Sequence, residues 1–214
     1  MDVVIRDATP QDAPFLAWVM QAAARSHRTL CFWDLAIPGP DPFRLEHVAA
    51  MANAEPRSFT HHDGFIVAQS EARPVAALSA YDSADKDIEA FITAFALTLA
   101  ERGWTREHVE LAMARTAPVQ TCMSDSPAGV WIVEWVAALP EARGRGVARM
   151  LLEAILERGR ERGYSAAQIS YLIGNDPARI AYERVGFETV DEKRDPAFEQ
   201  VFGSPGLARM TRAL

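Results

Sequence analysis

Two glycines and three arginines stand directly before a helical pattern in the stretch LPEARGRGVARMLLEAI. Gly144 and Gly146 carry no side chain that would keep a ligand from the backbone, and Arg143, Arg145 and Arg149 add positive charge. Because the first turn of a helix has unpaired N–H groups and a partial positive charge, this pattern indicates an anion site, in particular a phosphate site. The alternative is an ordinary turn between a strand and a helix, with arginines that face the solvent.

Two common phosphate-binding motifs do not fit this stretch. The dinucleotide fingerprint G-x-G-x-x-G requires a third glycine at the position that Arg149 occupies, and the stretch follows a predicted hairpin late in the chain. A P-loop requires Gly-Lys-Ser or Gly-Lys-Thr, and no such sequence follows. The pattern that remains is R-x-x-G-x-A, formed by Arg143, Gly146 and Ala148.

A single carboxylate, Glu134, interrupts the apolar stretch VWIVEWVAAL that precedes the glycine-arginine turn. A carboxylate in a buried strand is costly unless it is paired or opens to a cleft, and burial raises its pKa toward neutrality. A group of this kind can act as a general base, so Glu134 is the candidate base. The alternative is a salt bridge to an arginine or a solvated position at a strand edge.

Farther along the chain, the stretch GNDPARIAYERVGF has the composition of a short capped helix. Asp176 is predicted to cap this helix, with Pro177 as its first residue and Gly186 at its left-handed end. Asn175 is then expected just outside the helix, at the end of a strand. Tyr182 lies almost two turns into the helix, and by its position alone it is a core tyrosine on an amphipathic helix.

Hydrophobic periodicity places these residues in a series of strands and helices. A helix is predicted from about Glu141 to Arg162, after the glycine-arginine turn. Two further helices form a predicted insert over residues 83–128, between the third and fourth strands. The insert has an apolar stripe that indicates a core or subunit contact, formed by Ile88, Ile92, Phe95 and Leu99. The predicted strands are 3–6, 65–69, 75–81, VWIVEWVAAL, SAAQISYLI and LARMTRAL.

The resulting order, β-α-α-β-β-(αα)-β-α-β-α-β, predicts one α/β domain with a mixed sheet over residues 1–214. With 49% apolar residues the chain can bury a substantial core. No apolar run approaches the roughly 20 residues that span a bilayer, and no secretory signal is visible at the N-terminus. The net charge of −7 argues against general binding to nucleic acid.

The cysteines carry no visible chemistry. Cys31 and Cys122 are far apart and have no metal-ligand spacing, so we expect buried or free thiols in a reducing, cytoplasmic environment and no metal site.

The stretch VAALPEARGRGVA resembles the coenzyme A pyrophosphate loop of the GNAT superfamily of N-acetyltransferases, whose pattern is Q/R-x-x-G-x-G/A. The second signature of this family is an asparagine after the following strand, then a helix with a tyrosine, then Gly-Phe. Asn175, Ala178, Tyr182, Gly186 and Phe187 match that signature. The resemblance implies a mixed, mostly antiparallel sheet flanked by helices, with the 83–128 insert longer than the usual link between strands 3 and 4.

The resemblance also implies a reaction: an acetyl group moves from acetyl-CoA directly to a primary amine in a ternary complex. Tyr182 would be the general acid that reprotonates the departing thiolate, and Glu134 is our candidate for the base. Ten residues would contact the cofactor: Ala137, Ala138, Leu139, Arg143, Gly144, Arg145, Gly146, Val147, Ala148 and Asn175.

In proteins that resemble this chain, the segment between the first two helices forms the floor of the acceptor site. Here Phe32 and Trp33 offer an apolar or cation–π surface, and Asp34 could hold a positive charge; the alternative is that both aromatics belong to the core. The expected partner is a small-molecule or peptide amine, with no nucleic acid or membrane, and the resemblance implies a homodimer. A longer acyl group or a non-catalytic acyl-CoA-binding module stay open as alternatives, although Tyr182 counts against the second.

Overall fold

The computed structural model describes residues 2–214, whose seven strands form one sheet. The strands are Val4–Asp7 (β1), Phe65–Ser70 (β2), Arg73–Tyr81 (β3), Trp131–Ala138 (β4), Ala166–Leu172 (β5), Glu188–Arg194 (β6) and Gly206–Ala213 (β7). They lie in the order β1-β2-β3-β4-β5-β7-β6, and every neighbouring pair is antiparallel except β4 and β5. The predicted mixed, mostly antiparallel sheet is therefore confirmed.

Within residues 2–214, eight α-helices flank this sheet. They are Ala13–Arg25 (α1), Phe32–Ala36 (α2), Asp41–Met51 (α3), Ile88–Ala100 (α4), Arg106–Gln120 (α5), Val147–Glu161 (α6), Asp176–Glu183 (α7) and Pro196–Phe202 (α8). Helices α4 and α5 lie between β3 and β4, where the insert was predicted. In the described part of the chain, no helix combines the length and the apolar character needed to cross a bilayer.

The core divides into two layers, one on each face of the sheet. Helices α1 to α5 bury their apolar residues on one face, and α6 and α7 bury theirs on the other. Helix α6 shows the pattern clearly, since its buried side chains recur at helical spacing. At about 1.5–3 kcal/mol for each fully buried aliphatic side chain, this stripe anchors the helix to the sheet. Its members are Val147, Leu151, Leu152, Ile155 and Leu156.

The position of α6 along β4 is set by a close approach at Gly159. Any side chain at residue 159 would lie within 2.7 Å of the Trp131 ring, so only glycine permits this contact. The Trp131 indole N–H also donates to the carbonyl of Ile155 at 2.9 Å. Because these contacts fix the later turns of α6 against the start of β4, the N-terminus of α6 lies beside the end of β4.

Helix α6 begins at Val147, so the prediction that it starts at Glu141 was wrong. A short 3₁₀ turn spans Pro140–Ala142, and the residues between that turn and the helix form a loop. Gly144 and Gly146 adopt positive φ angles of 70° and 79°, which a right-handed helix cannot contain. The glycine-arginine stretch is therefore a true loop that leads into the helix.

Strand β6 and helix α8 were not predicted from the sequence. The buried face of α4 also differs from the predicted one. Strand β6 reads ETVDEKR and lies at the edge of the sheet, where charged side chains face solvent. In α4, Phe95 and Leu99 belong to the core as predicted, but Ile88 is 58% exposed and Ile92 is 37% exposed. Phe91 is buried in their place. The helix is apolar on several sides, so its periodicity did not define one face.

Candidate active site

A cleft opens where β4 and β5 separate. These parallel strands pair only through Trp131 with Ala167, Ile132 with Gln168 and Val133 with Ile169. Beyond these pairs, β4 stays bonded to β3 on one side and β5 to β7 on the other. The facing edges of β4 and β5 are therefore available to a ligand along the second half of β4.

The cleft begins at a bulge in β4. The register between β3 and β4 shifts after the pair of Ser79 with Glu134, and the next pair is Ala77 with Ala137. Trp135 takes up the extra residue with a φ of 57°, a left-handed conformation that a tryptophan seldom adopts. Strained backbone of this kind is concentrated at functional sites. Glu134 lies immediately before the strained residue.

Glu134 is a buried carboxylate with one hydrogen-bond donor. The Tyr81 hydroxyl donates to Glu134 Oε1 at 3.1 Å, and no ion pair with a described residue reaches Glu134. Burial raises the pKa of the Glu134 carboxyl to about 7, although the hydrogen bond from Tyr81 opposes the rise. Burial and the charge of Glu134 raise the pKa of Tyr81, so that this hydroxyl stays protonated and keeps donating. Neither structural alternative for Glu134, a salt bridge or a solvated edge, matches these contacts.

Tyr81 is the first of a series of aromatic side chains that come from four elements and one loop. Phe59 stacks on Tyr81 at 5.5 Å and on Phe91 at 4.8 Å between ring centroids. Trp33 lies 6.2 Å from Phe91 and 6.0 Å from Trp135. The rings form a continuous wall that runs from Tyr81 to the bulge. Phe91 belongs to α4, so the helical insert covers the Glu134 side of the sheet.

Three polar atoms in this region are buried without a hydrogen-bond partner among residues 2–214. They are Ser79 Oγ, Trp33 Nε1 and Trp135 Nε1. An unpaired buried donor costs about 1–3 kcal/mol, and Ser79 lies directly opposite Glu134 across β3 and β4. These atoms are available to hydrogen-bond a ligand or ordered water beside Glu134.

The glycine-arginine loop presents bare backbone at the end of the cleft. No backbone N–H of residues 144–149 donates to another described residue, and no atom lies within 4 Å of where a side chain would project from Gly144 or Gly146. Arg143 turns back and donates from Nε to the carbonyl of Ala138 at 3.1 Å. A series of free N–H groups at a helix N-terminus, with open space in front, fits a phosphate.

Tyr182 lies under the other face of the sheet, among the residues that pack on α6. Its side chain is buried, with Tyr171 and Phe187 in edge contact at centroid distances of 6.5 and 6.4 Å. Burial raises the pKa of the Tyr182 hydroxyl above its ordinary value. The residue is therefore both part of the core and a protonated hydroxyl at neutral pH, so the two alternatives given for it are compatible.

Asn175, not Asp176, caps α7. Asn175 Oδ1 accepts from the Ala178 N–H at 3.2 Å, and the helix begins at Asp176. Its amide nitrogen donates to Ser26 Oγ at 2.5 Å. Both polar ends of Asn175 are thus used to tie the end of β5 to the segment after α1.

Of the three predicted acceptor residues, Asp34 does not fit its expected role. Arg25 and Arg44 contact Asp34 Oδ1 at 2.6 and 3.1 Å, and the Cys31 N–H donates to Oδ2 at 2.9 Å. Burial opposes ionisation, but the hydrogen bonds from Arg25 and Cys31 outweigh it and lower the pKa of Asp34. The carboxylate of Asp34 is therefore fully paired within the protein, by two arginines and by the Cys31 N–H at the start of α2.

Trp33 is fully buried in the core layer of α1 to α5, while Phe32 is partly buried at its margin. The two rings meet edge to face at 5.0 Å. The core alternative therefore describes Trp33, although its ring also forms part of the aromatic wall. No pattern in the sequence identified Tyr81, which bonds Glu134, or Phe59 and Phe91, which stack in series behind the Tyr81 ring.

Residues 30–187 match the model of the family described as the acetyltransferase (GNAT) family. No curated protein matches the sequence. The fold is similar to that of a crystal structure titled acetyltransferase, with 16% identity, 98% of both chains covered and a TM-score of 0.70. It is also similar to an N-acetyltransferase from Staphylococcus aureus Mu50, with 17% identity, 98% of this chain and 100% of that chain covered and a TM-score of 0.68. A ribosomal-protein-alanine N-acetyltransferase from Brucella melitensis aligns with 21% identity, 99% of both chains and a TM-score of 0.58.

Proposed function

The chain belongs to the GNAT acetyltransferase family, and from this premise we propose that it moves an acetyl group from acetyl-CoA to a primary amine by direct transfer in a ternary complex. The observation that carries the proposal is the end of the pairing between β4 and β5 at Val133 and Ile169. Glu134, a buried carboxylate with a pKa of about 7, follows Val133 directly, and a loop of free backbone N–H groups follows the end of β4.

The loop residues fit the cofactor that the family uses. We assign the pyrophosphate to the loop and the first turn of α6, and the pantetheine arm to the edge of β4 that faces β5, from Ala137 to Leu139, where the arm would take the place of Arg143 on the Ala138 carbonyl. Acetyl-CoA supplies a thioester, whose carbonyl carbon is open to attack by an amine. Because Asn175 already caps α7 and bonds Ser26, its assigned part is to hold the end of β5 in place beside the cofactor. The residues assigned to the phosphates are Arg143, Gly144, Arg145, Gly146, Val147 and Ala148.

Glu134 is assigned as the general base. An alkylammonium has a pKa near 10.4 and must lose a proton before it can attack. A carboxylate with a pKa of about 7 is about half ionised at neutral pH, and general bases are most effective when their pKa lies near the working pH. Tyr81 holds Glu134 Oε1, which leaves Oε2 to take the proton, directly or through water.

Tyr182 is assigned as the general acid. A tyrosine hydroxyl is protonated at neutral pH, and burial raises the pKa of Tyr182 further, so the hydroxyl carries a proton that it can give to the basic thiolate as the sulfur departs. Neither cysteine supports a covalent route, since Cys31 and Cys122 are both buried. Burial raises the pKa of the Cys31 thiol to about 12, so it carries almost no thiolate at neutral pH.

The acceptor is assigned to the aromatic wall beside Glu134, with Phe32 at its margin and Trp33 behind it. Aromatic faces attract ammonium groups, and a neighbouring carboxylate adds to that attraction. The acceptor is therefore an amine of a small molecule or a peptide. The cytoplasmic location and the homodimer expected from the sequence stay predictions.

Calorimetry with acetyl-CoA and free coenzyme A tests the proposal. We expect the wild-type protein to bind both at micromolar concentrations and the Gly146→Glu variant to bind neither, because the new carboxylate meets the phosphates. Gly103→Glu is the matched control, since Gly103 has nearly the same φ of 80° and open space around it but joins α4 to α5. Absence of binding by the wild-type protein, or equal loss in both variants, would overturn the cofactor assignment.

A further inference from the structure

Arg28, in the segment between α1 and α2, is a partly buried arginine without a counterion. Its Nε atom is buried and has no hydrogen-bond partner, and no carboxylate of residues 2–214 lies within ion-pair distance of its guanidinium. Other partly buried arginines in the described chain have a partner: Arg25 and Arg209 pair with carboxylates, and Arg115 donates to the Leu35 carbonyl. A partly buried guanidinium needs an acceptor, since an unpaired buried donor is costly.

The guanidinium of Arg28 is positioned by two glycines beyond the sheet. Its Nη2 lies 4.0 Å from where a side chain would start at Gly174, and its Nη1 lies 3.7 Å from the same point at Gly203. The nearby carboxylate of Asp176 forms an ion pair with Arg179 at 3.2 Å, and its charge also interacts with the His27 ring. The surroundings of Arg28 are therefore backbone and small residues, which leave its donors to an outside ligand.

Arg28 lies just beyond the end of β5, past the point where the pairing of β4 with β5 ends. Ser26 is bonded to Asn175, which ties the Arg28 segment to the residues just after β5. Gly174 is five residues beyond Ile169, where the pairing with β4 ends. At about 3.3 Å per residue, Gly174, beside which the guanidinium lies, is on the order of 15 Å from the point where that pairing ends.

We infer that Arg28 holds an acidic group of the acceptor, a carboxylate or a phosphate, while the amine of the same molecule lies at Glu134. The inference rests on the proposed function. It assigns Arg28 to the acceptor because its segment belongs to the layer of α1 to α5, whereas the free N–H groups assigned to the cofactor lead into α6 on the opposite face. Guanidinium binds carboxylate and phosphate oxygens through paired hydrogen bonds, which favours an acidic amine over a neutral one.

Matched acceptors test the inference. ω-Amino acids of six to twelve carbons are compared with n-alkylamines of the same length, and ω-aminoalkyl phosphates with the same alkylamines, by release of free thiol from acetyl-CoA. We expect the acidic acceptors to have a kcat/KM at least about tenfold higher. Arg28→Met should lower that value about 10–100-fold, mainly through KM, since hydrogen bonds to charged groups are worth about 1.5–3 kcal/mol. Arg28→Lys should retain part of the preference. Comparison of the carboxylate-bearing with the phosphate-bearing acceptors shows which acidic group Arg28 binds.

The control is Arg106→Met, which makes the same change at an arginine whose side chain is 92% exposed on α5. Three results would overturn the inference: no preference of the wild-type protein for acidic acceptors, an equal loss on both kinds of amine in Arg28→Met, or a raised KM for acetyl-CoA in that variant.

A binding experiment separates this inference from the proposed function. Calorimetry compares N-acetyl ω-amino acids with N-alkylacetamides at saturating coenzyme A and needs no turnover. Binding of the acids that is lost in Arg28→Met supports the anion site even if no amine is acetylated, in which case only the proposed reaction fails. Absence of binding of the acids by the wild-type protein overturns the inference.

Discussion

The raised pKa of Glu134 predicts that the protein loses stability as the pH rises. The folded protein binds the Glu134 proton with a pKa of about 7, against 4.5 for an ordinary glutamate. Protonated Glu134 is thus favoured by folding, so this contribution is complete below pH 4.5 and is lost as the pH rises through 7. The difference of about 2.5 pKa units corresponds to about 3 kcal/mol.

The substitution that removes this dependence is Glu134→Gln, which keeps the shape and cannot ionise. Between pH 5 and pH 8, linkage predicts a change of about 2.5 kcal/mol in the unfolding free energy of the wild type relative to the variant. Urea unfolding followed by tryptophan fluorescence at several pH values measures this difference. The variant should be the more stable protein at pH 8, with the two proteins nearly equal at pH 4.

Glu46→Gln provides the control, because Glu46 is an exposed glutamate on α3. Its stability should follow that of the wild type at every pH. If the Glu134→Gln and wild-type curves run parallel from pH 5 to pH 8, Glu134 titrates like a solvated carboxylate. Both its burial and its assignment as a base tuned to neutral pH would then be refuted.

Two further predictions concern catalysis once an acceptor is identified. If Glu134 is the base, kcat/KM should fall about tenfold between pH 8 and pH 6. Tyr81→Phe should move that fall upward by about one pH unit, because it removes a hydrogen bond to the ionised Glu134 carboxylate. A pH profile that is the same in Glu134→Gln as in the wild type would contradict this. Tyr182→Phe should lower kcat about 100-fold with the Kd for acetyl-CoA unchanged, as expected for loss of a general acid. Full turnover by Tyr182→Phe, measured beside its Kd, would show that the proton comes from elsewhere.

The parts of the site that the sequence predicts are those built from one continuous segment. The loop assigned to the phosphates could be recognised because Gly144 and Gly146 lie within the six residues that form it, and a site of this kind uses the backbone itself. Glu134 could be recognised because a carboxylate in an apolar strand is costly wherever the strand lies. Neither observation requires knowledge of how distant segments meet.

The parts that the sequence did not predict depend on long-range packing or on competing caps. Tyr81 reaches Glu134 across 53 residues of sequence, and no local pattern identifies that contact. At α7 two adjacent residues could each cap the helix, and Asn175 rather than Asp176 does so because its amide also bonds Ser26. The sequence pattern suggested that Asp34 could hold a positive charge of the acceptor. Its ion pairs with Arg25 of α1 and Arg44 of α3 depend on how distant segments pack, and no local pattern shows them.

The helical insert covers the face of the sheet on which Glu134 is buried. Phe91 of α4 stacks on Phe59, which stacks in turn on the Tyr81 ring that bonds Glu134. Without Phe91, water would reach the outer face of this stack, and a solvated carboxylate returns toward its ordinary pKa. The raised pKa that would suit Glu134 to act as a base at neutral pH therefore depends on α4 as well as on β4.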